Sequence, residues 1–501
     1  MTSLSIKKAT LSQKLSNYDL LVIPLSSEQF NSKKLPEAFS KIDKELSINL
    51  KDLLKRDKFT AAALESRAYR SLSPTSSCSL LILGCPQKSE NRTQDSQALR
   101  KIGSIIFDTA SKYSLSNIGI LDYGLESLST DYHQAIVEGV ELSRYSFQRY
   151  KSEKKPASTS ARKFSFIQSK NVSSGISKNI HALISGTNLA RDLVNTPAED
   201  CTPNFLAKTA RDIARNSDLR CKVFSKKELE RIGARALLAV GRASRNQPLM
   251  IRLSYSPKGA KGKKIALVGK GITFDTGGLS LKSSSGMVTM KCDMAGAATV
   301  LGAMQSIATI KPKIAITAYI PVAENMVAGN AIRPGDVVKA MNGKTIEILN
   351  TDAEGRLILA DALHLAEKEG ATTIIDLATL TGACVVALGD DYAGLFSNDS
   401  GLGQRILAAA EKSGEHIWAL PLAPAYRELI DSTVADIKNT GGRVAGAITA
   451  ALFLQEFVAH SKWAHIDIAG PAFQEKAKFY NQVGASGFGV RTLVNFMLDS
   501  Q

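Results

Sequence analysis

The chain of 501 residues is 44% hydrophobic and 22% charged, the balance of a soluble globular protein with length for two or three domains. Its net charge of +16 admits a nucleic acid or an anionic surface as partner without requiring one. Six scattered cysteines without a CxxC pair argue against a disulfide framework, and apolar runs broken by charge, such as TIIDLATLTGACVVALG with its Asp376, argue against a membrane span.

The amino terminus, MTSLSIKKATLSQKLSNYDL, holds no apolar core of signal-peptide length, so a cytoplasmic protein is expected. YDLLVIPL, SLLILGCP and SNIGILDYG follow as short buried strands, separated by helical stretches such as LPEAFSKIDKELSINLKDLLKR. Residues 1–165 therefore read as a small α/β domain. The basic, Ser-rich stretch from Arg149 to Lys178 reads as a solvated linker, with a connecting helix closing the boundary segment at 166–188.

From 189 to 501 strands and helices alternate. Thr202-Pro203 is a helix start, with a capping hydroxyl and proline at the first helical position. KKIALVGK, PKIAITAYI, TIEILN, TTIIDLATL and AHIDIAG are the expected strands. MAGAATVLGAMQSIATI, RLILADALHLAEKEG and AGAITAALFLQEFVAH are the expected helices. The expected fold class is α/β: a small N-terminal domain, then a larger domain whose mixed sheet is flanked by helices, with ligands beyond the carboxyl ends of its strands.

Acids fall at those ends. VGKGITFDTGG places Lys270 and Asp275 after one strand, MVTMKCDMAGAATV places Asp293 before a helix, and ILNTDAEGRL places Asp352 and Glu354 after another. An extended backbone would aim Asp352 and Glu354 at one point, with Gly355 turning sharply and Leu357 starting the helix. One such motif alone reads as a helix cap. Three together, accompanied by Lys270, Lys282 and Arg356, read as a site. Four carboxylates in one cleft repel by roughly 4 kcal/mol per pair at about 4 Å, so they take up protons or bind cations. Two divalent ions balance four charges, and oxygen ligands suit Mg, Mn or Zn. The motifs lack histidine and HExxH, against a single-zinc peptidase helix. Cys292 and His364 read as packed residues and Asp336 as a turn.

NTDAEGRL at 350–357, with VGKGITFDTGGLSLK at 268–282, resembles the cytosolic leucyl aminopeptidases, the M17 peptidases, of the bacterial aminopeptidase A type. NLARDLVNTPAEDCTP, DIKNTGGRVAGAITAALFL and WAHIDIAG support the likeness, which covers about 185–495. The resemblance implies a macro-like N-terminal domain, a homohexamer, and two divalent ions per subunit, manganese ahead of zinc. It implies Lys270 and Asp293 on one ion, Asp352 on the other, and Asp275 and Glu354 bridging. It implies Lys282 at the scissile carbonyl, Arg356 holding bicarbonate, and Met290, Thr379, Gly382, Ala469 and Ala472 around the first side chain of a peptide substrate. Thr276 and Ser283 depart from the residues common there, Ser and Pro, and remove no ligand. The competing expectations are a two-metal phosphoesterase and a DNA-binding protein whose contacts include Lys151, Lys154 and Lys155.

Overall fold

The computed structural model describes residues 5–9, 17–32, 37–70, 72, 77–90, 92–122, 125, 128, 132–153, 163–167, 176–260 and 264–500. The chain divides into two compact units: residues 1–184 with 411–414 and 477–482, and the remainder from Ser185. Both are α/β, as the alternation of apolar strands and helices leads one to expect.

The first unit is built on one sheet. Its strands are β1 (Ser5–Ala9), β2 (Leu20–Leu25), β3 (Ser66–Tyr69), β4 (Ser79–Gly84), β5 (Asn117–Leu121) and β6 (Lys163–Ile167), in the spatial order β1-β6-β5-β2-β4-β3. β2 and β4 are buried at all six positions, the signature of strands covered on both faces. β6 corrects the linker reading. The Ser- and Lys-rich stretch contains a strand inserted between β1 and β5, parallel to both, because Phe164, Phe166 and Ile167 are core residues. Lys154 and Lys155 lie outside the described residues. The expected boundary helix is Ile176–Asn195, and the division between units falls inside it.

The second unit carries a nine-stranded sheet. Its members are β7 (Arg220–Phe224), β8 (Leu249–Tyr255), β9 (Lys264–Gly269), β10 (Gly271–Asp275) and β11 (Ala315–Asn325). A small separate sheet then intervenes, with β12 (Val337–Lys339) and β13 (Thr345–Glu347). The large sheet resumes with β14 (Thr373–Ala378), β15 (Tyr392–Ser397) and β16 (His416–Ala419). β17 (Ile437–Lys438) completes the small sheet, and β18 (Lys462–Asp467) the large one. The spatial order is β16-β15-β18-β14-β9-β11-β8-β7, with β10 paired to β11. β18, β14, β9 and β11 run parallel, so their carboxyl ends open on one edge. TIEILN was expected in this sheet; β13 instead pairs with β12 and β17.

Helix starts follow local chemistry. Thr202 Oγ1 accepts from Phe205 N at 3.3 Å, with Pro203 opening the helix Pro203–Arg215. The small residues opening Ala295–Ile310 let that helix approach β14. A Cβ at Gly296 would stand 2.1 Å from the Leu377 carbonyl oxygen. The two segments lock the residue after β9 between them: Lys270 N donates to Leu377 O at 3.0 Å, and Ala297 N donates to Lys270 O at 2.8 Å. Among the described residues no helix is long and apolar enough to cross a membrane.

Candidate active site

Five sequence-predicted residues meet at this edge. Lys270 follows β9, Asp275 ends β10, and Asp293 follows the 3₁₀ turn Met290–Cys292. Glu354 stands just before the helix Gly355–Lys368, and Asp352 lies two residues earlier. Lys270 Nζ, 3% exposed, lies 2.7 Å from Asp293 Oδ1, 2.9 Å from Glu354 Oε1 and 2.9 Å from Thr379 O. Lys282 Nζ lies 2.9 Å from Asp275 Oδ2 and also contacts Asp352 Oδ1. Each lysine thus neutralises two of the four acids.

Asp352 and Glu354 do not aim at one point. Asn350 Oδ1 accepts from Asp352 N at 2.9 Å, and Ala353 N bonds Asn350 O at 3.2 Å, so the segment turns instead of extending. Asp352 faces Lys282 with a third of its side chain exposed, and Glu354 faces Lys270 with 1% exposed. The helix begins at Gly355, two residues before the expected Leu357. Gly355 is needed for close approach: a Cβ there would stand 2.5 Å from Lys270 Cε and 2.6 Å from its Nζ.

Asp275, Asp293 and Glu354, all buried, each offer an oxygen within 4.8 Å of the others. Asp293 Oδ2 and Glu354 Oε2 are buried without a hydrogen-bond partner. Burial raises the Asp293 and Glu354 carboxyls above their ordinary values, with repulsion from Glu354 and Asp275 added at Asp293 and from Asp275 at Glu354. Burial also raises Asp352. On the two ammonium groups burial acts downward, but the acids outweigh it and hold Lys270 and Lys282 above the usual lysine range. Buried carboxylates this close together, with oxygens left unpartnered, are what a hard cation takes as ligands. The donor set fits divalent ions.

Arg356 is buried behind this group. Its Nη1 donates to Asn439 O at 2.8 Å, its guanidinium carbon lies 6.0 Å from the Phe453 ring centroid, and its Nε is without a partner. Burial lowers it to about 10. Thr379 Oγ1 donates to Asp293 Oδ1 at 2.8 Å. Thr379 and Gly382 follow β14, Ala469 and Ala472 follow β18, and Met290 opens the 3₁₀ turn.

Sequence reasoning passed over the residues that hold these. Asn325 Nδ2 donates to Asp275 Oδ1 at 2.8 Å and to Thr351 O at 3.0 Å, joining two segments of the site. Asn439 Oδ1 accepts from Leu349 N at 2.9 Å, and its Nδ2 bonds Asn350 O. Asp467, fully buried, accepts from Leu380 N, Thr381 Oγ1 and Ala469 N. Asp376 binds Trp463 Nε1 at 2.7 Å and His465 Nδ1 at 2.6 Å. Asn325 and Asp467 each end an apolar strand, the position that singled out the acids. Cys292 is buried and His364 half-buried, as expected, and Asp336 closes a turn by accepting from Arg333 N.

A parallel sheet edge bearing four carboxylates and two lysines defines a metallohydrolase. Its family follows from comparison. The model of the cytosol aminopeptidase family catalytic domain matches residues 188–494, and that of the family's N-terminal domain matches 28–154. The chain belongs to the cytosol aminopeptidase family and is a metallo-aminopeptidase of that class.

A "Probable cytosol aminopeptidase" of Cyanothece sp. is 42% identical over 485 residues, 96% of this chain and 97% of that protein. One of the same description from Nostoc punctiforme is 44% identical over 458 residues, covering 91% and 92%. Among solved structures, a tomato leucine aminopeptidase mutant superposes with a TM-score of 0.89 at 34% identity, covering 100% of this chain and 97% of that one. The bottromycin maturation enzyme BotP in complex with Mn gives 0.82 at 32%, covering 96% and 99%.

Proposed function

We propose that this protein releases unsubstituted N-terminal residues, Leu-like ones first, from peptides in cytoplasmic turnover, and that it works as a homohexamer. The observation that carries the reading is the pair of buried, unpartnered oxygens, Asp293 Oδ2 and Glu354 Oε2, beside Asp275. Asp275, Asp293, Asp352, Glu354 and Lys270 would hold two divalent ions, with Lys270 giving up its proton to do so. Manganese is preferred over zinc because a structural relative is described in complex with Mn. When bound, the ions supply Lewis acidity to the scissile carbonyl and a nucleophilic water.

The chain's own residues do the rest. Lys282, oriented by Asp275 and Asp352, donates to the carbonyl oxygen as charge builds on it. Arg356, fixed by Asn439, would hold a small anion such as bicarbonate through its free Nε, and that anion would supply a proton-relaying group. Met290, Thr379, Gly382, Ala469 and Ala472 form a largely apolar wall for the first side chain. The DNA expectation gains no support from the fold or from the relatives.

The test is hydrolysis of Leu-anilide by chelated and Mn-loaded protein, with N-acetyl-Leu-anilide and a phosphodiester as controls. Equal rates with and without metal, or cleavage of the acetylated substrate, would refute the reading. Cleavage of the phosphodiester alone would transfer it to the phosphoesterases. Light scattering in metal-containing buffer reads the hexamer directly.

A further inference from the structure

Asp467 is a fully buried carboxylate whose acceptor sites are spent on two strand ends at once. Oδ1 takes Leu380 N and Ala469 N, each at 3.2 Å, and Oδ2 takes Thr381 Oγ1 at 2.7 Å. No lysine, arginine or histidine among the described residues lies within ion-pair distance of it; hydrogen bonds hold it directly, and the cationic groups of Arg356 and His465 act on it from further off. Burying a carboxylate is costly unless its oxygens are hydrogen-bonded, as both are here. β14 and β18 are neighbours with Ala378 opposite Asp467, so the carboxylate clips together the two segments that leave the sheet side by side. One carries Thr379 and Gly382, and the other carries Ala469.

We infer that Asp467, with Thr381, is the positioning pair that sets the width of the wall receiving the first side chain of the peptide, and so tunes which N-terminal residue is accepted. The inference rests on the aminopeptidase reading and on the assignment of that wall. Thr379 is anchored separately, through its hydroxyl to Asp293 and its carbonyl to Lys270. Loosening Asp467 therefore moves Leu380–Gly382 and Ala469 while the metal-facing group stays in place. Thr381 Oγ1 also accepts from Cys384 N at 3.0 Å, capping the helix Gly382–Leu388, so the clip sets where that helix starts.

The experiment compares kcat/KM on Leu-anilide and Ala-anilide, with metal content measured alongside. Thr381→Val breaks the clip and the cap. Asp467→Ala removes the clip and leaves the cap. Thr381→Ser keeps both. Both of the first two should lower the Leu-over-Ala preference by about threefold to tenfold, the worth of part of a side-chain contact. The loss should fall mainly on KM for Leu-anilide, with metal content unchanged. Thr381→Ser should match the wild type.

Unchanged preference in Asp467→Ala overturns the inference, as does a Thr381→Ser variant that behaves like Thr381→Val. Should Asp467→Ala fail to fold, Thr381→Val against Thr381→Ser decides. Ala469→Val separates the two levels of the argument. If it leaves the preference untouched, the wall itself is wrongly assigned. If it shifts the preference and the clip variants do not, only the clip is wrong. A wild type inactive on both anilides refutes the aminopeptidase reading instead.

Discussion

Gly355 and Lys270 leave no room between them: a Cβ on residue 355 would stand 2.5 Å from Lys270 Cε and 2.6 Å from Nζ. The Lys270 backbone is held by Leu377 O and Ala297 N, so the displacement falls on its side chain, away from the positions bonded to Asp293, Glu354 and Thr379 O. Gly355→Ala should therefore push the ammonium off Asp293 and Glu354 while the helix, which favours alanine, still forms. Overpacking of this kind costs about 1–3 kcal/mol. The expected outcome is a folded protein whose metal content and kcat/KM both fall, the latter by at least about tenfold. Normal metal content and rate would mean Lys270 has another path.

Glu354→Ala and Lys282→Ala should part company. The first removes an oxygen ligand from a buried site and relieves repulsion, so the protein should stay folded and lose both metal and activity. The second leaves the acids in place and removes a donor to the carbonyl oxygen, so metal should remain while kcat drops by about a hundredfold to a thousandfold. Elemental analysis beside the rate constants reads both; full metal occupancy in Glu354→Ala would reject its role as a ligand.

Asn325→Ala should weaken metal binding without touching a ligand. Its amide holds Asp275 Oδ1 and the Thr351 carbonyl together. Loss of an outer hydrogen bond to a ligating group costs about 10–100-fold in metal affinity or activity. Titration of chelated protein with Mn, followed by recovery of rate, measures it. An unchanged half-saturation point would reduce Asn325 to packing.

Removing metal should abolish activity and spare the fold. Lys270 and Lys282 each pair with two of the acids, so the ion-free cleft is not an unbalanced cluster of negative charge. Chelated protein should keep its far-UV circular dichroism, lose a few degrees of Tm, and regain full rate with added Mn. Saturating ligand at about a hundred times its Kd contributes only about 2.7 kcal/mol. Unfolding on chelation would show that the lysines do not compensate.

In the first unit, His133 gives a pH dependence of known sign. It is 2% exposed and stacks edge-on against Phe166, and burial lowers its imidazole to about 4. The unfolded chain takes up that proton near pH 6.5, whereas the folded chain does not. Stability is therefore intact above about 6.5 and is lost as pH falls towards 4. His133→Gln should remove this part of the slope, read as urea midpoints at pH 7 and pH 5 for both proteins. Parallel pH profiles would show that His133 titrates normally.

Most of the site was legible because its chemistry sits on strand ends that announce themselves. Apolar runs stopping at Lys270 and Asp275, and an acid ahead of a small-residue helix at Asp293, located the edge and the candidate ligands together. What stayed hidden had non-local causes. TIEILN has the pattern of a central strand, yet nothing within it specifies pairing with β12 and β17. Asn350 overrode the extended reading of Asp352 and Glu354 with a side-chain turn. Lys163–Ile167 looked like linker because its flanks are Ser- and Lys-rich, while Phe164 and Phe166 were enough to insert it in a sheet. Asp467 is indistinguishable from an ordinary capping acid until the partners on β14 are seen.

The distance along the chain from Lys270 to Asp467 also fixes when the enzyme comes into being. Every residue assigned to the ions is synthesised before β18, yet β14 and β15 close their shared sheet only when β18 slots between them. At about 5–20 residues per second, translation needs roughly 10–40 s to pass from one to the other. Once Glu354 has been added, within that interval, the growing polypeptide holds all the acids and lysines of the site but not yet the strand that completes its sheet. Proteolytic competence therefore arrives late in synthesis, and a truncated translation product ending before Lys462 should be inactive.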